Sequence, residues 1–104
     1  MMTKIEYDYL VFLWDDKKNK INLAKHGIAF EDAVPVFFND YVLTQSHSIV
    51  EGEQRWRTLG RMKDTVILFI GHLIYDDEMD REVIRIITVR QATPTEEKIY
   101  YGHY

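Results

Sequence analysis

Lys18, Asn22 and His26 stand at i, i+4 and i+8, and Lys25 lies three residues beyond Asn22. On a helix those intervals put the four on one polar stripe. Such a stripe has two readings. One is a solvated face with a histidine near the helix C-terminus, where the dipole favours imidazolium. The other is an anion site, in which lysine is a compact positive charge and His26 exchanges a proton near neutral pH. A second set lies in "EGEQRWRTLGR", Glu51 to Arg61. Strand alternation places Glu53, Arg55 and Arg57 on one face and Gln54, Trp56 and Thr58 on the other. A carboxylate beside two guanidiniums is either a cross-strand ion pair or a base next to phosphate binders. Arg85 and Arg90 form a third set, five residues apart, so strict pleating sends them to opposite faces. Either one of them is structural or a bulge re-aims it.

Other chemistries have no residues to carry them. His26, His47, His72 and His103 lack metal-ligand spacing, and "HLIYDDEMD" has neither the glycine nor the bidentate glutamate of an EF-hand loop. No phosphate-loop or dinucleotide glycine fingerprint and no nucleophilic serine motif is present. The chain has no cysteine, hence no disulfide or thiolate site. No metal and no cofactor is expected. Trp14, Trp56 and Tyr101 are of a type that stacks on bases, though aromatics at such spacing more often build a core.

The elements that must position these residues follow from pattern. "YLVFLW", Tyr9 to Trp14, suits a first strand, and Asp15 can cap a helix running to about His26. Gly27 supplies its left-handed terminus, and Ile21, Ala24 and Ile28 form its expected buried stripe. Phe30, Ala33, Val34 and Phe37 predict a second, shorter helix that Pro35 disturbs. From Tyr41 the pattern is of strands: "YVLTQSHSI", "RWRTLGR" with a bulge or bend at Gly60, the apolar "TVILFIGHLIY", a polar turn at "DDEMD", and "REVIRIITVR". Thr93 or Thr95 caps a last helix to about Tyr101. The short connections imply antiparallel hairpins and an α+β layer fold in a single domain of 104 residues.

The formal net charge is −4, unevenly spread. Trp14 to His26 sums to +2, four lysines against two aspartates, and Glu51 to Lys63 also sums to +2. Tyr75 to Glu82 sums to −4, from five acids and one arginine. A uniformly acidic chain argues against a nucleic-acid partner; two local basic stretches leave one open. The longest apolar run, Thr65 to Tyr75, is too short to span a bilayer and no basic-then-apolar leader opens the chain, so a cytoplasmic protein with no membrane partner is expected.

"WDDKKNKINLAKHGIAFEDAVPVF" resembles the opening of BrnT-type toxins, through Trp14, Asp15, Lys18, Asn22, Lys25, His26, Gly27, Phe30 and Ala33. Glu53 and Arg55 resemble the family's Glu-x-Arg, with Gly60 as its glycine, and "RIITVRQA", Arg85 to Ala92, is similar to its closing block, followed by Glu96 and Tyr100. Thr88 and Val89 stand where the family has Ser-Ala, and Glu97 where it commonly has a basic residue. The resemblance spans roughly residues 12 to 101, nearly the whole of a single BrnT-like domain over 1–104.

The resemblance implies a RelE-like fold: N-terminal helices and a C-terminal helix packed on a four- to five-stranded, mainly antiparallel sheet. It implies the toxin of a type II toxin–antitoxin system, a metal-independent endoribonuclease that inhibits translation. The expected partners are RNA and a ribbon-helix-helix antitoxin encoded nearby, with operator DNA reached only through that antitoxin. The expected catalytic residues are Lys25, His26, Glu53, Arg55 and Arg90. Glu53 or His26 is the base, His26 or Lys25 the acid, and Arg55, Arg85 and Arg90 stabilise the phosphate. Lys18, Asn22, Arg57, Arg85 and Tyr100 are expected to bind substrate. The products would carry 2′,3′-cyclic phosphate and 5′-hydroxyl ends. The competing function is non-enzymatic: a partner-binding module that acts with a DNA-binding antitoxin in operon repression.

Overall fold

A computed structural model describes residues 1–63 and 65–104. β1 (Met2–Glu6) and β2 (Leu10–Asp15) form an antiparallel pair. α1 (Asp16–His26) and a 3₁₀ helix (Phe30–Phe38) follow. β3 (Leu43–Val50), β4 (Glu53–Met62), β5 (Val66–Asp76) and β6 (Glu82–Gln91) make an antiparallel meander, and α2 (Pro94–His103) ends the chain. The sheet order is β1-β2-β6-β5-β4-β3.

Two expectations are corrected here. The described residues form six strands, not four to five, and the sheet is mixed, because β2 joins β6 in parallel, Leu10–Leu13 beside Glu82–Arg85. The parallel joint arises because the chain leaves β2 through two helices and returns as a meander whose last strand, not its first, meets β2. β1 escaped the sequence reading because its residues are mostly polar or exposed; only Ile5 packs on the core.

The two sheet faces bury separate cores. On the first, Phe12, Trp14, Leu68, Ile70 and Ile86 lie under Phe30, Ala33 and Val36 of the 3₁₀ helix. On the second, Leu59, Ile67 and Phe69 lie under Tyr100 of α2. Burying each large apolar side chain contributes about 1.5–3 kcal/mol. Gly60 is not a bulge. It pairs regularly with Leu68, and a Cβ there would sit 2.5 Å from Val36 Cγ1, so glycine is what lets the 3₁₀ helix approach β4.

The helices also depart from expectation in part. Asp15 caps α1 by accepting from the Lys17 and Lys18 amides at 2.8 and 3.2 Å, and Gly27 takes the left-handed φ of 73°. Of the expected apolar stripe only Ile28 is buried: Ile21 is 57% exposed and Ala24 is exposed, while Asn22 is the buried residue of the helix. The second helix is 3₁₀ rather than α. Pro35 inside it cannot donate a backbone hydrogen bond and would clash with the preceding α-helical turn. Asn19 fastens its start, accepting from the Phe30 amide at 2.8 Å and donating to Glu31 Oε1 at 2.6 Å. α2 is capped by Thr93, whose hydroxyl accepts from the Glu96 amide while the Glu96 carboxylate accepts from the Thr93 amide. No helix among the described residues is long and apolar enough to cross a membrane.

His72 of β5 is 1% exposed. Its Nδ1 lies 3.2 Å from the Leu73 carbonyl, which can only accept, so Nδ1 carries the proton and Nε2 accepts from the Thr58 hydroxyl at 2.7 Å. Burial pushes its pKa down to about 4. Between pH 6.5 and 4 the unfolded chain therefore binds a proton that the folded one refuses, so stability falls as pH falls. The loss at pH 4 is expected to be about 3 kcal/mol relative to pH 7.5. Urea titrations across that range should show it, and His72→Gln should flatten the dependence.

Candidate functional site

The centre of the site is an irregularity in β6. β5 pairs Gly71 with Thr88 and His72 with Ile86, which leaves Ile87 as an extra residue. The bulge settles where the two arginines point. Arg85 lies opposite Leu73 and Arg90 opposite Phe69, four residues apart on β5, so both project on the α2 face. Ile84, Ile86 and Val89 all face the other core.

The same stretch of β6 explains the buried asparagine. β2 accompanies β6 only as far as Arg85, so beyond it the outer edge of β6 has no strand neighbour. Asn22 takes that place. Its Nδ2 donates to the carbonyls of Val89 at 2.8 Å and Ile28 at 2.9 Å. Its Oδ1 accepts from the Val89 amide at 3.1 Å and the Thr88 hydroxyl at 3.3 Å. Asn22 is thus saturated by protein groups, and it pins α1 beside the bulge. Lys18, Lys25 and His26 consequently face Ile87 and Thr88 across a shallow hollow. Among the described residues their side chains have no hydrogen-bond or ion-pair partner.

A second hollow adjoins the first. It is lined by Arg55, His47, Phe69 and Gly71, and again by Ile87 and Thr88. Gly71 keeps its floor open, since a Cβ there would lie 2.8 Å from Thr88 Cγ2. Glu53 Oε1 is 3.4 Å from Arg55 Nη2. Arg57 shares that face, opposite Gly71, and its Nη2 donates to Gln45 at 2.9 Å. The Nε groups of Arg55 and Arg57 are buried without a partner among the described residues. The part-exposed Arg55 guanidinium beside one carboxylate is suited to holding a phosphate with a proton acceptor next to it.

The remaining expected residues are committed elsewhere. Arg90 makes a two-pronged pair with Glu96, at 2.7 and 3.0 Å, and lies 4.0 Å over the Phe69 ring. The Arg90 hydrogen bonds, helped by the Thr93 amide, hold the Glu96 carboxyl at about 2, well below the usual carboxylate range. Tyr100 does not reach the groove; it is 2% exposed and donates to the Tyr41 carbonyl at 2.6 Å. Arg85 sits farther along β6, between Leu13 and Leu73, half-buried and without an ion pair among the described residues.

Larger hollows lie away from these residues. One beside the 3₁₀ helix mixes Glu31 and Asp32 with Arg61 and Lys63. No three histidine or acidic side chains among the described residues stand together as metal ligands do. His47 and Thr88 line the groove although sequence reasoning gave neither a role there. His47 sits in an irregularity of β3 and Thr88 beside that of β6, and alternation of apolar and polar residues carries no sign of where a bulge falls.

The sequence profile described as "Ribonuclease toxin, BrnT, of type II toxin-antitoxin system" matches residues 14–96. Among solved structures, the 1.1 Å crystal structure of the Brucella abortus ribonuclease toxin BrnT is similar, with a TM-score of 0.56 and 21% identity. The likeness covers 77% of this chain and 92% of that one, and shows a shared fold. No curated protein sequence matches the chain.

Proposed function

Because the chain belongs to the BrnT family of ribonuclease toxins of type II toxin–antitoxin systems, we propose that it is a metal-independent endoribonuclease that inhibits translation by cutting RNA at the β6 bulge. A toxin of this family has an RNA substrate and an antitoxin partner. The observation that carries the reading is the wall the two hollows share: α1 cations without partners among the described residues border Ile87 and Thr88 on one side, and Arg55, with Glu53 3.4 Å from it, borders them on the other.

RNA supplies its own nucleophile, the 2′-hydroxyl. Glu53, beside Arg55, takes that proton as O2′ bonds to phosphorus and the bond from phosphorus to O5′ breaks. Arg55 and Arg57 bear the charge that grows on the phosphate oxygens, where preorganised donors act most strongly. Lys18, Lys25 and His26 hold the neighbouring phosphates across the bulge, and His26 can exchange protons there. Arg85 extends the cationic face along β6. Asn22, Arg90 and Tyr100 act by positioning: they hold α1, Phe69 and α2. The antitoxin is a ribbon-helix-helix protein encoded nearby, through which alone the toxin reaches operator DNA in the cytoplasm.

The test is RNA cleavage by the purified protein in excess EDTA, with the ends mapped chemically. The expected products are 2′,3′-cyclic phosphates and 5′-hydroxyls. A divalent-metal requirement or 5′-phosphate ends would contradict the mechanism. Intact RNA, together with harmless expression in cells, would favour the docking function instead.

A further inference from the structure

We infer that His47 is the acid that protonates the leaving 5′-oxygen, a role that rests on the ribonuclease reading above. β3 pairs Ser46 with Trp56 and Ser48 with Arg55, so His47 is the extra residue of a second bulge. A bulge turns two consecutive residues to one side and re-aims them. By alternation Gln45 and His47 already share the face of Arg57, and the bulge brings Ser48 to the same face opposite Arg55.

The ring does not point into solvent away from the sheet. It meets Phe69 edge-on, with centroids 5.4 Å apart. Phe69 is on β5, two strands from β3, or about 10 Å at ordinary strand spacing. The imidazole therefore leans inward across β4, over the hollow that Arg55 lines. Phe69 is itself clamped by the Arg90 guanidinium, so the surface supporting His47 is rigid. Neither ring nitrogen has a hydrogen-bond partner among the described residues, which leaves a donor free for substrate.

His47 is also better placed than His26 for this step. His26 lines the α1 hollow with Lys25, on the far side of Ile87 and Thr88, whereas His47 and Arg55 share one hollow. Among the described residues the charged groups on the face of His47 are Glu53, Arg55 and Arg57 of β4, Arg85 and Arg90 of β6, and Glu96 of α2, which pairs with Arg90; β5 offers no charge there. In the balanced step the 2′ proton goes to Glu53, the O2′–P bond forms, the P–O5′ bond breaks, and the imidazolium proton goes to O5′. Solvent then restores both protonation states.

The experiment compares His47→Gln, His26→Gln and Glu53→Gln on an RNA cut by the wild type, as pH profiles of kcat/KM. A positioned acid is typically worth about 10²–10⁴-fold. His47→Gln should lose activity in that range and lose the alkaline limb of the profile, with an unchanged thermal melt. The same RNA with sulfur in place of the 5′-bridging oxygen at the mapped site leaves as a thiolate and needs no proton. On it His47→Gln should regain nearly the wild-type rate, while Glu53→Gln should not. A His47→Gln enzyme as active as wild type, or a defect that the sulfur substrate fails to rescue, overturns the assignment. So does loss of the alkaline limb in His26→Gln alone. Uncut RNA with the wild type would instead overturn the ribonuclease reading, and this role with it.

Discussion

Asn22→Ala is expected to destabilise the fold by about 3–5 kcal/mol. The variant leaves three buried backbone groups without partners: the amide and carbonyl of Val89 and the carbonyl of Ile28. Each orphaned group costs about 1–3 kcal/mol, and water entering the gap as α1 loosens keeps the total below the simple sum. The apolar residues of α1 do little to hold it down, because Ile21 and Leu23 are exposed; its other ties are polar, chiefly Asn19 to the Phe30 amide and Glu31. Asn22→Asp should be no better: it keeps the acceptor, loses both donated bonds and buries a charge. Urea denaturation gives the magnitude, and hydrogen exchange at the Val89 amide gives the mechanism, since that amide should exchange freely in Asn22→Ala. A loss under 1 kcal/mol would mean that Asn22 is not the clasp of α1. RNA cleavage should fall along with stability, because Lys18, Lys25 and His26 are presented by the same helix.

This asparagine marks the limit of what could be read from the chain. Local rules worked where the physics is local. Asp15 and Thr93 cap helices and Gly27 ends one, because each satisfies backbone groups within its own turn. The stripe of Lys18, Asn22 and His26 was visible at its spacing, but its meaning depended on a strand edge 67 residues away. Helical periodicity assigns polar residues to water, and here the polar residue is the buried one. The Arg85 and Arg90 puzzle has the same origin. Their separation is odd, a bulge was one of two solutions, and only pairing with β5 shows that the extra residue is Ile87. β1 and the parallel β2–β6 joint were invisible because strand neighbours are set by the path of the whole chain. That Lys25 and His26 belong with Arg55 is an expectation carried by family resemblance; spacing alone cannot show that residue 26 and residue 55 both border Ile87 and Thr88.

Arg55→Ala is expected to lower RNA cleavage by about 10²–10³-fold, the usual effect of removing one donor aimed at developing charge. Most of it should appear in kcat, because a contact that strengthens only as the phosphate gains charge lowers kcat and kcat/KM together. Arg55→Lys should recover little: a point charge cannot reproduce the planar fork that holds a phosphate with two parallel hydrogen bonds. Stability should hardly change, since Arg55 is part-exposed and its pair with Glu53 at 3.4 Å has an open partner, a class of contact worth about 0–1 kcal/mol. Arg90→Ala provides the contrast. It breaks the short, two-pronged pair with Glu96 and removes the cation over Phe69, so stability and cleavage should fall together. Lys25→Ala should weaken RNA binding and reduce its salt slope by about 1, with a smaller effect on kcat. Three cationic side chains thus separate by readout: kcat for Arg55, stability for Arg90, salt-dependent binding for Lys25. An Arg55→Ala protein that cuts RNA at the wild-type rate would remove the phosphate from the Glu53–Arg55 pair, and with it the reason for placing the reaction at the bulge.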